Sequence, residues 1–135
     1  MGVRENRAAL SRAVEAWNAG DVETYMQLYG GDIRLHAGTY EFPDRAAIEA
    51  AYKGMHAATS HLQLDIHETF GEGNRLAVRY TVTGRHTGDL MGIPASGQDF
   101  AITGITIMHF EHSKVAERWD SDDSAEVLAG LRAGS

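Results

Sequence analysis

The hydrophobic period changes partway along this chain, and that change constrains the fold more than any other feature. Up to about Ala58 the apolar residues recur at steps of three and four; from Leu62 onward they alternate with polar ones. The first spacing belongs to amphipathic helices and the second to half-buried strands. Leu10, Val14 and Trp17, with Ala9 and Ala13, predict a helix from about Arg4 to Ala19, stopped at Gly20. Asp21 caps a short helix over Val22 to Tyr29, ended by Gly30-Gly31. Asp32 to Ala37 reads as a short strand, and 38–43 as a loop. Asp44 is placed as N-cap of a third helix to about Ala58, carrying Ile48, Ala51, Tyr52 and Met55.

Strands follow. Leu62, Leu64 and Ile66 mark one; after a turn at 71–74, Leu76, Val78, Tyr80 and Val82 mark the next. A loop spans Thr87 to Gly97, then come strands over Phe100 to Phe110 and Val115 to Trp119, joined by a turn at 111–113. Asp123 and Glu126 have capping-box spacing before a last helix. Helices first and a meander afterwards predict an α+β fold in one domain, residues 1–135, with helices on one face of the sheet.

Composition removes several function classes. The net charge of −7, from 12 Lys+Arg against 19 Asp+Glu, is wrong for nucleic acid and for anionic membranes. No apolar run has the roughly 18–20 residues of a membrane span, and the polar stretch after Met1 is unlike a signal peptide. These features, with no cysteine at all, set the expectation of a cytoplasmic protein without disulfides or thiolate chemistry. The seven histidines are scattered, with no HExxH pairing, and no phosphate loop or nucleophile elbow occurs. No metal or cofactor is expected.

The C-terminal strand holds the best catalytic candidate. By alternation Ala116, Arg118 and Asp120 share one face, and Val115, Glu117 and Trp119 the other. If the first face lines the concave side, Asp120 is desolvated, which raises a carboxyl's pKa and makes it a proton carrier. The alternative is an ordinary acid beside the last helix, one of three with Asp122 and Asp123. Tyr80, Val82 and His86 share the inward face of their strand, His86 as a cavity group or a rim residue.

Gly84-Arg85-His86-Thr87-Gly88-Asp89-Leu90-Met91-Gly92-Ile93-Pro94-Ala95-Ser96-Gly97 resembles the "G-x-H-x-G-x-x-x-G-x-P-x-x-G" segment of the SnoaL-like polyketide cyclases. Lys114 to Asp120, followed by Asp123, resembles that family's "G-K-I-x-E-x-W-x-x-x-D" segment, and a weaker likeness reaches back to Trp17-Asn18-Ala19-Gly20-Asp21. The resemblance implies a nuclear-transport-factor-2-like fold: a cone-shaped, curved antiparallel or mixed sheet with helices over its concave face around an apolar cavity. It also implies metal-free intramolecular aldol closure of a polyketide, with Asp120 as general acid/base. Thr106 stands where these cyclases carry a histidine; His109, of opposite parity, should point away from the cavity. The resemblance favours a cavity position for His36, whereas periodicity puts it on the solvent side. Trp17, Phe42, Tyr80, His86, Met91, Thr106 and Met108 are further candidates for binding a small hydrophobic ligand, with Tyr25 and Met26 beside them. Another enzyme in the same cavity (isomerase, dehydratase, epoxide hydrolase or cofactor-independent hydroxylase) and a non-catalytic binding protein are the alternatives. In this fold the outer sheet face is bare. Val115 and Trp119, with Ile105, Ile107 and His109 if no bulge shifts the register, should then form a homo-oligomer surface, a dimer first.

Overall fold

The computed structural model describes residues 2–134, in the order α1 (Val3–Asn18), α2 (Val22–Tyr25), a 3₁₀ turn (Met26–Leu28), β1 (Tyr29–Ala37), β2 (Tyr40–Glu41), α3 (Arg45–Ala57), β3 (Thr59–Glu72), β4 (Arg75–His86), β5 (Asp99–Glu111), β6 (Lys114–Asp122) and α4 (Ser124–Gly134). Among these residues six strands form one curved sheet in the order β2-β1-β6-β5-β4-β3. All neighbours are antiparallel except β1 and β6, which run parallel. The sheet is therefore mixed, and the fold is α+β as expected.

Boundaries moved where tertiary pairing outweighed local signals. The second helix ends at Tyr25, and β1 starts at Tyr29 and runs through Gly30-Gly31, because Tyr29 pairs with Val115. Tyr40–Glu41, read as loop, folds back on His36 and Ala37 as β2. β3 runs into the expected turn as far as Glu72, leaving only Gly73 and Asn74 between Glu72 and its partner Arg75. Gly73 has φ +58, and at the next hairpin His112 and Ser113 have φ 51 and 69, the positive values that tight antiparallel turns use. Asp44 caps α3 as read, accepting from Ala47 N at 2.8 Å.

One stripe of α1 (Leu10, Ala13, Trp17) packs on the inner sheet face, where Leu76, Val78, Tyr80 and Val82 of β4 lie beside Phe100, Ile102, Met108 and Phe110 of β5. Register shifts bend the sheet around these helices. On β3 they fall between Ser60 and Gln63, where His61 has φ 55, and between Ile66 and Glu68. A third lies on β6: His109 faces Glu117, yet Phe110 faces Val115. An extra residue of this kind bends a strand and reverses side-chain parity across it. Val115 consequently turns inward and is fully buried, not on the outer face with Trp119. Ile105, Ile107 and Trp119 do lie outside, 55%, 43% and 37% exposed.

Two edges are tied by side chains. Asn18 at the end of α1 accepts from Leu64 N (2.7 Å) and donates to Leu64 O (3.1 Å), standing in for a neighbouring strand at the open edge of β3. Asp123 sits just before α4, but its carboxylate accepts from Thr103 N of β5 (2.8 Å), while Asp122 accepts from Ser124 N (3.0 Å). The helix start is thereby fixed to the sheet.

Candidate functional site

β6 carries the site because it is central and its inner face after the bulge presents Arg118 and Asp120 together. Asp120 opposes Thr106 on β5 and Ala37 on β1, and its strand continues to Asp122 instead of ending near Trp119. Its side chain is 13% exposed. Tyr80 donates to Asp120 Oδ1 at 2.7 Å, and Arg118 Nη2 stands 3.6 Å from the same oxygen. Burial pushes the Asp120 carboxyl above the ordinary range; the Arg118 charge and the Tyr80 hydrogen bond pull it down, and nearby Asp122 adds to the rise. A carboxyl balanced this way can both take and return a proton.

A buried guanidinium costs several kcal/mol unless it is paired and its N–H groups find acceptors. Arg118 finds them in hydroxyls. Nε donates to Thr106 Oγ1 (2.7 Å), and Nη1 to the hydroxyls of Tyr29 (2.6 Å) and Tyr25 (3.4 Å). Tyr29 is in turn hydrogen-bonded to Tyr25 (3.2 Å) and Tyr52 (3.0 Å), and Thr106 donates to Trp119 O (2.9 Å). Burial works against the charge of Arg118, and the surrounding tyrosines and Asp120 more than offset it. The same burial raises the phenols of Tyr25, Tyr29, Tyr52 and Tyr80, so they act as neutral hydroxyls. Trp17 closes this cluster, edge-on to Tyr25 and Tyr52 with ring centroids 5.1 and 5.2 Å apart.

Of the residues singled out in the sequence, Tyr80 joins Asp120 directly, Thr106 joins through Arg118, and Trp17 joins through the tyrosine rings. Met108 is buried on the same face as Thr106, and Phe42 packs half-buried at the edge of the core. The interior expected to be apolar is here a hydroxyl-rich cluster, because Arg118 must be satisfied. Open recesses lie elsewhere: about 430 Å³ between α1 and β3, lined by Leu10, Val14, Asn18, Leu64 and Ile66, and about 350 Å³ beside Asp21, Lys53 and His56.

The other candidates are placed apart from Asp120. His36 lies on the outer face, as periodicity indicated. It bonds Glu117 Oε2 at 2.7 Å and Glu41 through its other ring nitrogen, and stacks on Trp119 with centroids 5.6 Å apart. His86 is fully buried and holds down the following segment: Ser96 N donates to Nδ1 (3.3 Å), which leaves Nε2 to donate to Ile93 O (3.1 Å). Met91 is 77% exposed, because positive φ at Met91 and Gly92 makes a tight turn between buried Leu90 and Ile93. His109 faces Glu117 across the β5–β6 ladder, on the outer side as its parity required. Among the described residues no group of three or more His, Asp or Glu is placed to hold a metal ion.

Tyr25 was named beside the lining candidates, but Tyr29, Tyr52 and Arg118 were not recognised as site residues from the sequence. The one available signal was a buried-parity arginine two residues from Asp120, which requires several acceptors around it; their identity was not readable, since they come from three other elements.

Comparison with known proteins agrees with this fold. AclR, a candidate hydroxylase from Streptomyces galilaeus, is 29% identical, with a TM-score of 0.85 over 95% of this chain and 96% of its own. TsrD from Streptomyces laurentii is 25% identical with a TM-score of 0.86, covering 98% of both chains. IdmH, a candidate polyketide cyclase from Streptomyces antibioticus, shares the fold at 23% identity, with a TM-score of 0.77 over 93% of this chain and 97% of its own. A search of curated protein sequences gives no match. The model of the SnoaL-like polyketide cyclases matches residues 7–131, which takes in most of α1, the whole sheet and Asp120 with its partners. A family match of that extent, on a fold with this element order, makes the chain a member of the SnoaL-like polyketide cyclase family.

Proposed function

We propose that the protein closes a ring of a polyketide-type ester by intramolecular aldol addition, with Asp120 as the proton carrier. The observation that supports this most is a single one: Asp120 lies largely buried on the inner face, hydrogen-bonded to Tyr80 and beside the Arg118 charge. A methylene between two carbonyls is already acidic. Asp120 removes one of its protons, and the resulting carbanion forms a carbon–carbon bond to a distant carbonyl carbon of the same molecule. The protonated Asp120 then returns its proton to the new alkoxide, so the carboxylate is regenerated. The ligand is small and hydrophobic, and homodimers form through the outer sheet face around Ile105, Ile107 and Trp119.

Asp120→Asn is nearly isosteric and cannot exchange a proton. Assayed with a linear poly-β-keto methyl ester, it should lose about 10²–10⁴-fold in turnover with little change in binding. Asp123→Asn keeps an acceptor for Thr103 N and should turn over near the wild-type rate. Equal losses from both, or none from Asp120→Asn, would refute the assignment.

The 29% identity to AclR favours one second reading, hydroxylation at a carbon that Asp120 deprotonates: the carbanion takes up dioxygen as a hydroperoxide, which an external two-electron reductant such as a thiol converts to the alcohol and water. Ring closure consumes no oxygen. Product formed at an undiminished rate under anaerobic conditions supports the aldol reading; turnover that stops without oxygen supports the other.

A further inference from the structure

Tyr80 is on β4 and Asp120 on β6, so the phenol must cross the intervening β5 to reach the carboxylate. Alternate strands are about 10 Å apart, a gap that an extended tyrosine lying flat on the sheet closes only together with the Asp120 side chain reaching towards it. The residue it passes over is Gly104, paired with Tyr80 on one side and Asp122 on the other. A Cβ at Gly104 would stand 2.7 Å from the Tyr80 hydroxyl oxygen, 2.8 Å from its ring carbon Cζ and 2.8 Å from the Asp122 Cβ. Those distances are well inside van der Waals contact, which begins near 3.5 Å.

Glycine in the interior of a strand weakens it, and so needs a reason. Gly104 is not among the glycines with positive φ, so backbone conformation does not supply one. The close approaches of the phenol and of the Asp122 Cβ do. Even alanine would push the ring up from the sheet and away from Asp120 Oδ1.

The geometry points to Tyr80 as a positioning residue that fixes Asp120 through Oδ1, and to Gly104 as the residue that makes this possible by leaving the crossing strand bare. Its catalytic meaning rests on reading Asp120 as the base. By donating to the carboxylate, the phenol favours the charged form, in the same direction as Arg118 and against burial.

The test uses the full chain without ligand. The carboxyl carbon of Asp120, identified by its loss in Asp120→Asn, is titrated by carbon-13 NMR. Tyr80→Phe removes one oxygen and keeps the ring; the midpoint should move to higher pH by about one unit. Gly104→Ala should move it in the same direction, and the double variant no further than Tyr80→Phe alone. An unmoved midpoint in Tyr80→Phe, or additive shifts in the double variant, would overturn the proposal. If Gly104→Ala does not fold, Tyr80→Phe decides the role of the phenol, and Gly104→Ala with Asp122→Gly, compared with and without Tyr80→Leu, decides the glycine: recovery of folding only when the ring is gone supports the steric account, and misfolding that continues without the ring refutes it. A shifted midpoint alongside an active Asp120→Asn enzyme would leave the positioning intact and remove only the reading of Asp120 as the base.

Discussion

Two charged side chains, Arg118 inside and His36 outside, show how parity on neighbouring strands sorts charge to opposite faces of one sheet. Arg118 is satisfied by hydroxyls, which cannot be titrated away near neutrality. His36 is held by carboxylates on both ring nitrogens, an arrangement that requires both to carry protons. The hydrogen bond to Glu117 is the main cause of its raised pKa, with Glu41 adding to it; the same bond to His36 is the main cause of the lowered pKa of Glu117, with Arg34 assisting at 2.7 Å. Linkage gives the sign. A histidine with a raised folded pKa contributes stability that is complete below its unfolded value near 6.5 and is lost as pH rises through the folded value. Glu117 contributes above its unfolded value near 4.3 and loses that contribution on acidification. Thermal midpoints of wild type and His36→Gln should therefore differ most between about pH 5 and 6.5 and converge in alkali. A constant difference across that range would mean that the imidazole acts by packing on Trp119 rather than by charge.

At the scale of elements, β6 and the 87–98 segment depend on a few local devices. The bulge between Glu117 and Val115 decides which β6 side chains reach the interior: it buries Val115 against Phe110 while keeping Arg118 and Asp120 inside. The 87–98 segment has almost no regular structure and is held by His86, whose backbone also bonds Gln98 O and Gly97 N (2.8 Å each). His86→Phe conserves bulk but leaves Ile93 O and Ser96 without their partner. Leaving buried polar groups unpaired costs about 1–3 kcal/mol, so urea unfolding should report a loss of that size. Amides from Leu90 to Gly97 should exchange faster while those of β4 and β5 hold. If instead the whole sheet exchanges faster by the same factor, His86 supports the global fold and not this segment alone.

For the whole molecule, the helices cover only the inner face of the sheet, and the outer face retains Ile105, Ile107 and Trp119, with the Arg75 guanidinium 5.8 Å from the Trp119 ring centroid. Apolar side chains grouped on an otherwise polar face mark association. Sedimentation at micromolar concentration should give about twice 14.7 kDa for the wild type. Ile107→Lys, which puts a charge at the centre of that patch, should give the monomer with an unchanged melting cooperativity. A wild-type monomer would remove the proposed dimer.

The sequence by itself determined the class of most segments and the face of most strand residues. Helical and alternating periods record which residues meet the core, and that pattern is a property of neighbours in the chain; Tyr80 and the solvent side of His36 were legible in this way, Asp44 from its capping position, and Asp120 and Thr106 with the help of the family resemblance. The tertiary structure alone decided three things. The β6 bulge moved Val115 inward, because ladder register is set between strands and leaves no mark on the bulged strand's own sequence. Tyr29 became the first residue of β1, because its partner lies on β6, far along the chain. The hydroxyl cage of Arg118 drew on α2, β1, α3 and β5 at once. An acceptor for a buried charge is a matter of distance in space, and residues remote in sequence come within hydrogen-bond reach only when the sheet curls around its helices.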